Sequence, residues 1–197
     1  ADKYRNPAMI LTDAIVGQML EPVVLHGNFE IRDYPKPWAT NGARGRAHNI
    51  VNSLWIDANV MEELNRRLQA KYLEAERTEI RYHEYRVDDA DLVLVAYGSP
   101  ARICRTVVDL AREEGMKVGL FRPITLFPFP KPQIADLARS GKRFLTVEMS
   151  AGQMVEDVRL AVNGQRPVYF YGRSGGMLPV ARDVYREVQK LYCGGEQ

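Results

Sequence analysis

Polar and charged side chains follow four predicted strands, and they are the residues in this chain best suited to ligand chemistry. They are Tyr97-Gly98-Ser99, Arg122-Pro123, Glu148 with Met149 to Gly152, and Gly172-Arg173-Ser174-Gly175-Gly176. In open α/β sheets, ligands or partners meet the carboxyl ends of the strands. An arginine there can bind a phosphate or carboxylate through paired hydrogen bonds, and glycines allow close backbone approach. The spacing therefore predicts an anion or partner contact at one edge of a sheet.

The glycine-rich loop from Gly172 to Gly176 matches neither Gly-x-Gly-x-x-Gly nor the lysine-containing P-loop pattern. A tight turn fitted against a neighbouring domain is therefore favoured over a nucleotide cradle. For Arg122 two interpretations stay open, an anion contact and the commoner ion pair with a nearby carboxylate.

Candidate catalytic groups are sparse in this sequence. Glu148 stands at a strand end, but no partner for general acid or base chemistry is evident beside it. His26, His48 and His83 are scattered, without the spacing of metal ligands. A nucleophile elbow and a Ser, His, Asp arrangement are also missing from the sequence. We predict no catalytic residue and no metal site.

The elements that position the strand ends begin near residue 88. Four apolar runs are each followed by a helical pattern, and they cover residues 91–96, 117–121, 143–149 and 167–171. Continuous apolar strands are typical of parallel sheets with helices on both faces. We predict an open, mainly parallel, doubly wound sheet, with Ser99 as the N-cap of the first helix and Pro100 at its first position. The strand order stays open.

The first 87 residues show a different pattern. Residues 8–12 predict a buried strand, and residues 14–20 predict the start of a helix. A lone strand is unstable, so we expect a fragment of a larger sheet. Residues 21–49 lack periodicity and predict a long connector. Residues 57–80 predict an amphipathic helix, packed on its own domain or at an interface, and the charged run 74–86 predicts a solvated face.

Composition limits the possible function. The 197 residues carry a net charge of +2 and no apolar run of transmembrane length, so we expect neither nucleic acid nor membrane as a partner. The two cysteines, Cys104 and Cys193, predict a reduced, cytoplasmic chain without a disulfide. They are also too few for an iron–sulfur cluster, which usually takes four thiolates.

Several motifs together resemble the alpha subunit of thiamine-diphosphate-dependent 2-oxoacid:ferredoxin oxidoreductases, of the 2-oxoisovalerate or 2-oxoglutarate type. They are Lys3-Tyr-Arg-Asn-Pro7, Leu11-Thr-Asp13, Gly17-Gln-Met19, Asp88-Asp-Ala-Asp91, Val95-Ala-Tyr-Gly98, Arg122-Pro-Ile-Thr-Leu126, Pro128-Phe-Pro130, Val147-Glu-Met-Ser150, Gly152-Gln-Met154, Tyr171-Gly-Arg173 and Gly175-Gly176. The resemblance implies three parts: residues 1–25 as the remnant of an N-terminal pyrimidine-binding-type domain, residues 26–87 as connector and helix, and residues 88–197 as a domain like the C-terminal domain of transketolase.

The same resemblance implies oxidative decarboxylation of a 2-oxoacid with coenzyme A, giving acyl-CoA, carbon dioxide and reduced ferredoxin. Thiamine diphosphate and magnesium would be bound mostly by a beta subunit, and iron–sulfur clusters would lie on ferredoxin-like or gamma subunits. Asp13, Gly17 and Gln18 would face the cofactor. Four further residues would organise domain contacts or meet an anion: Arg122, Arg173, Gly175 and Gly176. The isolated chain is expected to be inactive.

Two alternatives remain at this stage. The first is a piece of another thiamine enzyme that shares the domain type, such as a transketolase or a dehydrogenase E1 beta chain. The second is a docking module whose strand ends bind only protein.

Overall fold

The computed structural model describes residues 1–20, 22, 24 and 34–194. His26 and much of the predicted connector at residues 21–49 fall outside them. The chain divides into two compact units. One unit combines Ala1–Leu11 with Leu20–Arg77, and the other combines Thr12–Met19 with the chain from Thr78 onward. The domain boundaries predicted at residues 25 and 87 stay predictions.

The second unit is built on a five-stranded sheet in the order β1-β3-β2-β4-β5. Strand β1 pairs antiparallel with β3, and the other neighbours are parallel. The strands are β1 (Tyr82–Tyr85), β2 (Leu92–Val95), β3 (Val118–Pro123), β4 (Arg143–Glu148) and β5 (Val168–Gly172). The helices are α1 (Ala14–Gln18), α3 (Gly98–Glu113), α4 (Lys131–Arg139), α5 (Met154–Val162) and α6 (Ala181–Cys193); α2 (Ala58–Thr78) belongs mainly to the first unit.

Helices cover both faces of the sheet. On one face α3 and α6 pack against alternate strand residues such as Leu94 and Leu145, and on the other face α4 and α5 pack against Val95 and Phe144. All four residues of β2 are fully buried, which explains its continuous apolar run. The predicted doubly wound, mainly parallel sheet and its four strand–helix units are confirmed.

The charged run 74–86, predicted as a solvated face, ends in an element that was not predicted: Tyr82–Tyr85 forms the antiparallel edge strand β1, and three of its four residues are exposed. The Tyr82 ring stacks on Phe121, with ring centroids 5.2 Å apart. Tyr85 packs against the opposite core and donates a 2.6 Å hydrogen bond to Asp109. The two tyrosines therefore anchor opposite faces of a strand whose other residues are charged or exposed.

The prediction of a buried strand at residues 8–12 is wrong. This segment is not a strand, and Met9, Ile10 and Leu11 are 82%, 93% and 65% exposed. Among the described residues no strand pairs with it, and an extended segment without a neighbour cannot satisfy its backbone groups in a ladder.

The first unit contains the predicted long helix, which runs as α2 from Ala58 to Thr78. Asp57 accepts hydrogen bonds from the amides of Asn59 and Val60 and so caps its start. No residue of α2 is fully buried. Within the same unit the Arg5 guanidinium lies 4.0 Å from the centre of the Trp38 ring.

The connection before β2 passes directly over β3 at Gly119. A Cβ added there would lie 2.6 Å from the Arg86 carbonyl oxygen and 2.9 Å from the Val87 Cα. We expect Gly119→Ala to lower the free energy of unfolding by about 1–3 kcal/mol, because the backbone must move. Chemical denaturation of the purified chain measures this loss. Gly17→Ala is the matched control, since no atom lies within 4 Å of its added Cβ, and equal losses in both variants would contradict the close approach.

Candidate functional site

The carboxyl edge of the sheet has its topological switch point between β2 and β4. The chain leaves β2 through α3 on one face, whereas it leaves β4 through α5 on the other. The two loops therefore diverge, and in open α/β sheets the crevice at such a point is the usual ligand position. The predicted strand-end residues Ser99 and Glu148 flank this point, while Arg122 lies in the last two residues of β3 and Arg173 follows β5.

Asp13 caps two helices at this edge. Its Oδ1 accepts hydrogen bonds from the amides of Ile15 (3.0 Å) and Val16 (2.9 Å) at the start of α1. The same oxygen accepts one from the Ser99 hydroxyl at 3.0 Å, and Oδ2 accepts one from the Ser99 amide at 3.3 Å. The Val16 amide is the main cause that lowers the pKa of the Asp13 carboxyl, and Ser99 acts in the same direction.

The prediction that Ser99 is the N-cap of α3 is wrong. Helix α3 begins at Gly98, its N-cap is Tyr97, and no side chain of its own caps it. Ser99 lies inside the first turn and is 4% exposed, with its hydroxyl directed to Asp13. Pro100 is then the third helical residue. Local capping rules predict that the Ser99 hydroxyl accepts a hydrogen bond at the helix start. Instead the acceptor is Asp13, which lies 86 residues away in the sequence.

Glu148 has a similar structural role at α5. It is 2% exposed, and its carboxylate accepts hydrogen bonds from the amides of Gln153 (3.2 Å), Met154 (2.9 Å) and Val155 (2.9 Å). The Ser150 hydroxyl donates another at 3.0 Å. An acid at a helix N-terminus is favoured by the helix dipole. These contacts make Glu148 a helix cap, which its position in the sequence alone did not reveal.

Tyr97 lies in this same part of the edge and is half-buried. Burial is the main cause that raises the pKa of its phenol, and the negative charge of Glu148 adds to it. The phenol therefore keeps its proton at ordinary pH.

Arg122 and Arg173 have less fixed surroundings. Arg122 is exposed, and the ion pair considered for it is not found among the described residues. Arg173 is half-buried, and its amide donates a 3.0 Å hydrogen bond to the Glu148 carbonyl. Gly175 and Gly176 both adopt positive φ, at 65° and 83°, and form a turn, whereas the predicted fit of this turn against a neighbouring domain stays a prediction.

Gly17 and Gln18, the other two predicted cofactor contacts, are exposed residues at the end of α1. The structure thus brings Asp13 to the crevice through Ser99. Within residues 1–20, 22, 24 and 34–194, no group of three His, Cys, Asp or Glu side chains is placed to hold a metal ion. In the same part of the chain no helix is both long and apolar enough to cross a membrane.

The carboxylates of Asp13 and Glu148 hold helix starts at this edge. Both carboxylates beside the crevice are used as helix caps, and no nucleophile with a base is assembled from the predicted strand-end residues. The thiol of Cys104 is fully buried, and that burial raises its pKa, so it is not a reactive thiolate.

Residues 90–184 match the family model described as the pyruvate:ferredoxin oxidoreductase core domain II. The fold is similar to that of a 2-oxoglutarate:ferredoxin oxidoreductase from Magnetococcus marinus, with a TM-score of 0.57 and 16% identity. That match covers 69% of this chain and 24% of the other chain, and it shows the fold alone.

Two curated relatives match almost the whole chain. The ketoisovalerate oxidoreductase subunit VorB of Methanothermobacter thermautotrophicus is 48% identical over 97% of this chain and 54% of its own length. The 2-oxoglutarate synthase subunit KorA of Methanothermobacter marburgensis is 30% identical over 97% of this chain and 58% of its own length. The chain therefore spans little more than half the length of the relatives it matches.

The role of Glu148 as a buried cap can be tested by Glu148→Gln. The variant keeps one acceptor oxygen but turns an amide group toward backbone N–H donors, so we expect about 1.5–3 kcal/mol less stability in urea unfolding. Glu156→Gln is the control, because Glu156 is an exposed acid in the first turn of the same helix. A loss no larger at position 148 than at position 156 would show that the cap is unimportant.

Proposed function

Because the chain is homologous to subunits of 2-oxoacid:ferredoxin oxidoreductases along 97% of its length, we propose that it is part of such a subunit. The reaction would be oxidative decarboxylation of a 2-oxoacid with coenzyme A, giving acyl-CoA and carbon dioxide while ferredoxin is reduced. The observation that carries the proposal is the 48% identity to a ketoisovalerate oxidoreductase subunit. Since identity to the 2-oxoglutarate subunit is only 30%, a branched-chain 2-oxoacid is the favoured substrate.

Within that subunit, this portion organises domains and subunits. Two carboxylates at the switch point, Asp13 and Glu148, are committed to capping α3 and α5. Arg122 and Arg173 stand on either side of them and offer guanidinium groups for an anion or a partner subunit. The positive-φ turn at Gly175 and Gly176 presents backbone for the same contact.

Thiamine diphosphate, when bound, supplies the stabilised carbanion that the decarboxylation needs. The Asp13 carboxylate is already filled by hydrogen bonds of this chain, so it fits a role in holding α1 better than a direct cofactor contact. Gly17 and Gln18 are exposed and remain the candidates for facing the cofactor. Magnesium and the diphosphate would be held mostly by a beta subunit, and iron–sulfur clusters by ferredoxin-like or gamma subunits.

The proposed reaction is tested by isolating the full-length subunit with its partners under anaerobic conditions. We expect a brown complex whose visible absorbance falls when a 2-oxoacid and coenzyme A are added together. Turnover should be faster with 2-oxoisovalerate than with 2-oxoglutarate, and the purified chain alone should show none. A colourless protein without partners would contradict the proposal.

The organising role is tested by Arg173→Ala in the full-length subunit. Loss of a guanidinium contact should raise the apparent dissociation constant of the complex about tenfold, while turnover of assembled enzyme stays near wild type. Arg139→Ala is the control, because Arg139 ends α4 at the opposite edge of the sheet. A large loss of turnover in fully assembled Arg173→Ala enzyme would place this residue in the chemistry instead.

A further inference from the structure

The segment Thr12–Met19 belongs to the second unit although residues 20–77 separate it from the rest of that unit in the sequence. Its helix α1 has only five residues, and none of them is buried. A helix of that length is unstable in water, so its position must come from contacts outside itself. Hydrogen bonds from Ser99 to the Asp13 carboxylate tie it to the sheet-bearing part of the unit.

Ser99 depends on Asp13 for its hydrogen bonds, just as the segment Thr12–Met19 depends on Ser99 for its position. Both of its donors, the hydroxyl and the amide, are directed to the Asp13 carboxylate, and the residue is almost fully buried. The following residue, Pro100, has no amide hydrogen to share the capping. Gly98 has a φ of 58°, and a Cβ there would lie 3.4 Å from Asp13 Oδ2, so the loop passes close beside the carboxylate. Without Asp13 the first turn of α3 would keep two buried donors without an acceptor.

We propose that Ser99 is a positioning residue that, through Asp13, clamps Thr12–Met19 onto the start of α3 and so holds Gly17 and Gln18 in place for the reaction. The clamp joins two helix starts through a single carboxylate, so disturbing either residue loosens both helices. The placement of Gly17 and Gln18 toward a cofactor rests on the proposed function, whereas the clamp itself rests on the hydrogen bonds.

Hydrogen–deuterium exchange of the full-length subunit in its purified complex tests the clamp. Ser99→Ala removes a hydroxyl from α3, and we expect about tenfold faster exchange both in residues 97–103 and in residues 12–19. Asp13→Asn keeps one acceptor for the amides of Ile15 and Val16 but loses an acceptor for Ser99, so it should loosen the same two segments. Faster exchange in residues 97–103 alone would overturn the clamp.

Asp57→Asn is the matched control for the aspartate. Asp57 caps α2 through the amides of Asn59 and Val60, at 2.8 and 3.0 Å, in the same way that Asp13 caps α1. Its substitution should affect exchange near the start of α2 and leave residues 12–19 unchanged. If Asp57→Asn loosened residues 12–19 to the same extent, the effect of Asp13→Asn would be general destabilisation, and the proposal would fail.

Turnover of the assembled enzyme tests the positioning. Ser99→Ala should lower kcat about tenfold with little change in KM for the 2-oxoacid, and Ser99→Thr should restore kcat because it keeps the hydroxyl. Coupled exchange with unchanged kcat would overturn the positioning role. A wild-type complex without 2-oxoacid turnover would instead count against the proposed function, and the exchange measurements would still decide the clamp.

Discussion

Burial of the central strands on both faces is the constraint on which the rest of the second unit depends. Strand β2 has no exposed residue, so helices must cover each side of it. Connections between parallel strands are right-handed and short, which brings the start of each following helix to the carboxyl edge. Every helix start leaves amide hydrogens without partners in the helix. The fold therefore concentrates hydrogen-bond donors at one edge and requires acceptors there.

Two carboxylates act as acceptors for these helix-start amides, and their negative charge limits what this edge can bind. Asp13 serves the start of α3, and Glu148 serves the start of α5. A helix N-terminus that already holds a carboxylate is a poor site for a phosphate, because the second anion would be repelled. Arg122 lies at the end of β3 and Arg173 follows β5, and these two strands are three strand spacings, or about 14 Å, apart. Such a separation suits contact with a broad partner surface better than enclosure of one small anion.

The sequence predicted the parts of this fold that are set by local pattern and missed those set by distant partners. Apolar runs and glycine stops located the four strand–helix units, because two-sided burial leaves a continuous signal. Strand β1 was missed since only Tyr82 and Tyr85 anchor it, within a run of charged residues. Ser99 was predicted as a cap because its position fits one, but its true partner is Asp13. Residues 8–12 have a strand-like composition, yet composition cannot supply the neighbouring strand.

The contact between Asp13 and Ser99 fixes a short segment to the start of a core helix. Cofactor chemistry is sensitive to small errors in the placement of the groups around it. A five-residue helix cannot fix its own position. A carboxylate shared between two helix starts transfers the rigidity of the buried sheet to that short helix. Because the same carboxylate completes α3, detaching the segment also leaves a core helix with unpaired donors. Displacement of the segment would therefore also destabilise the start of α3.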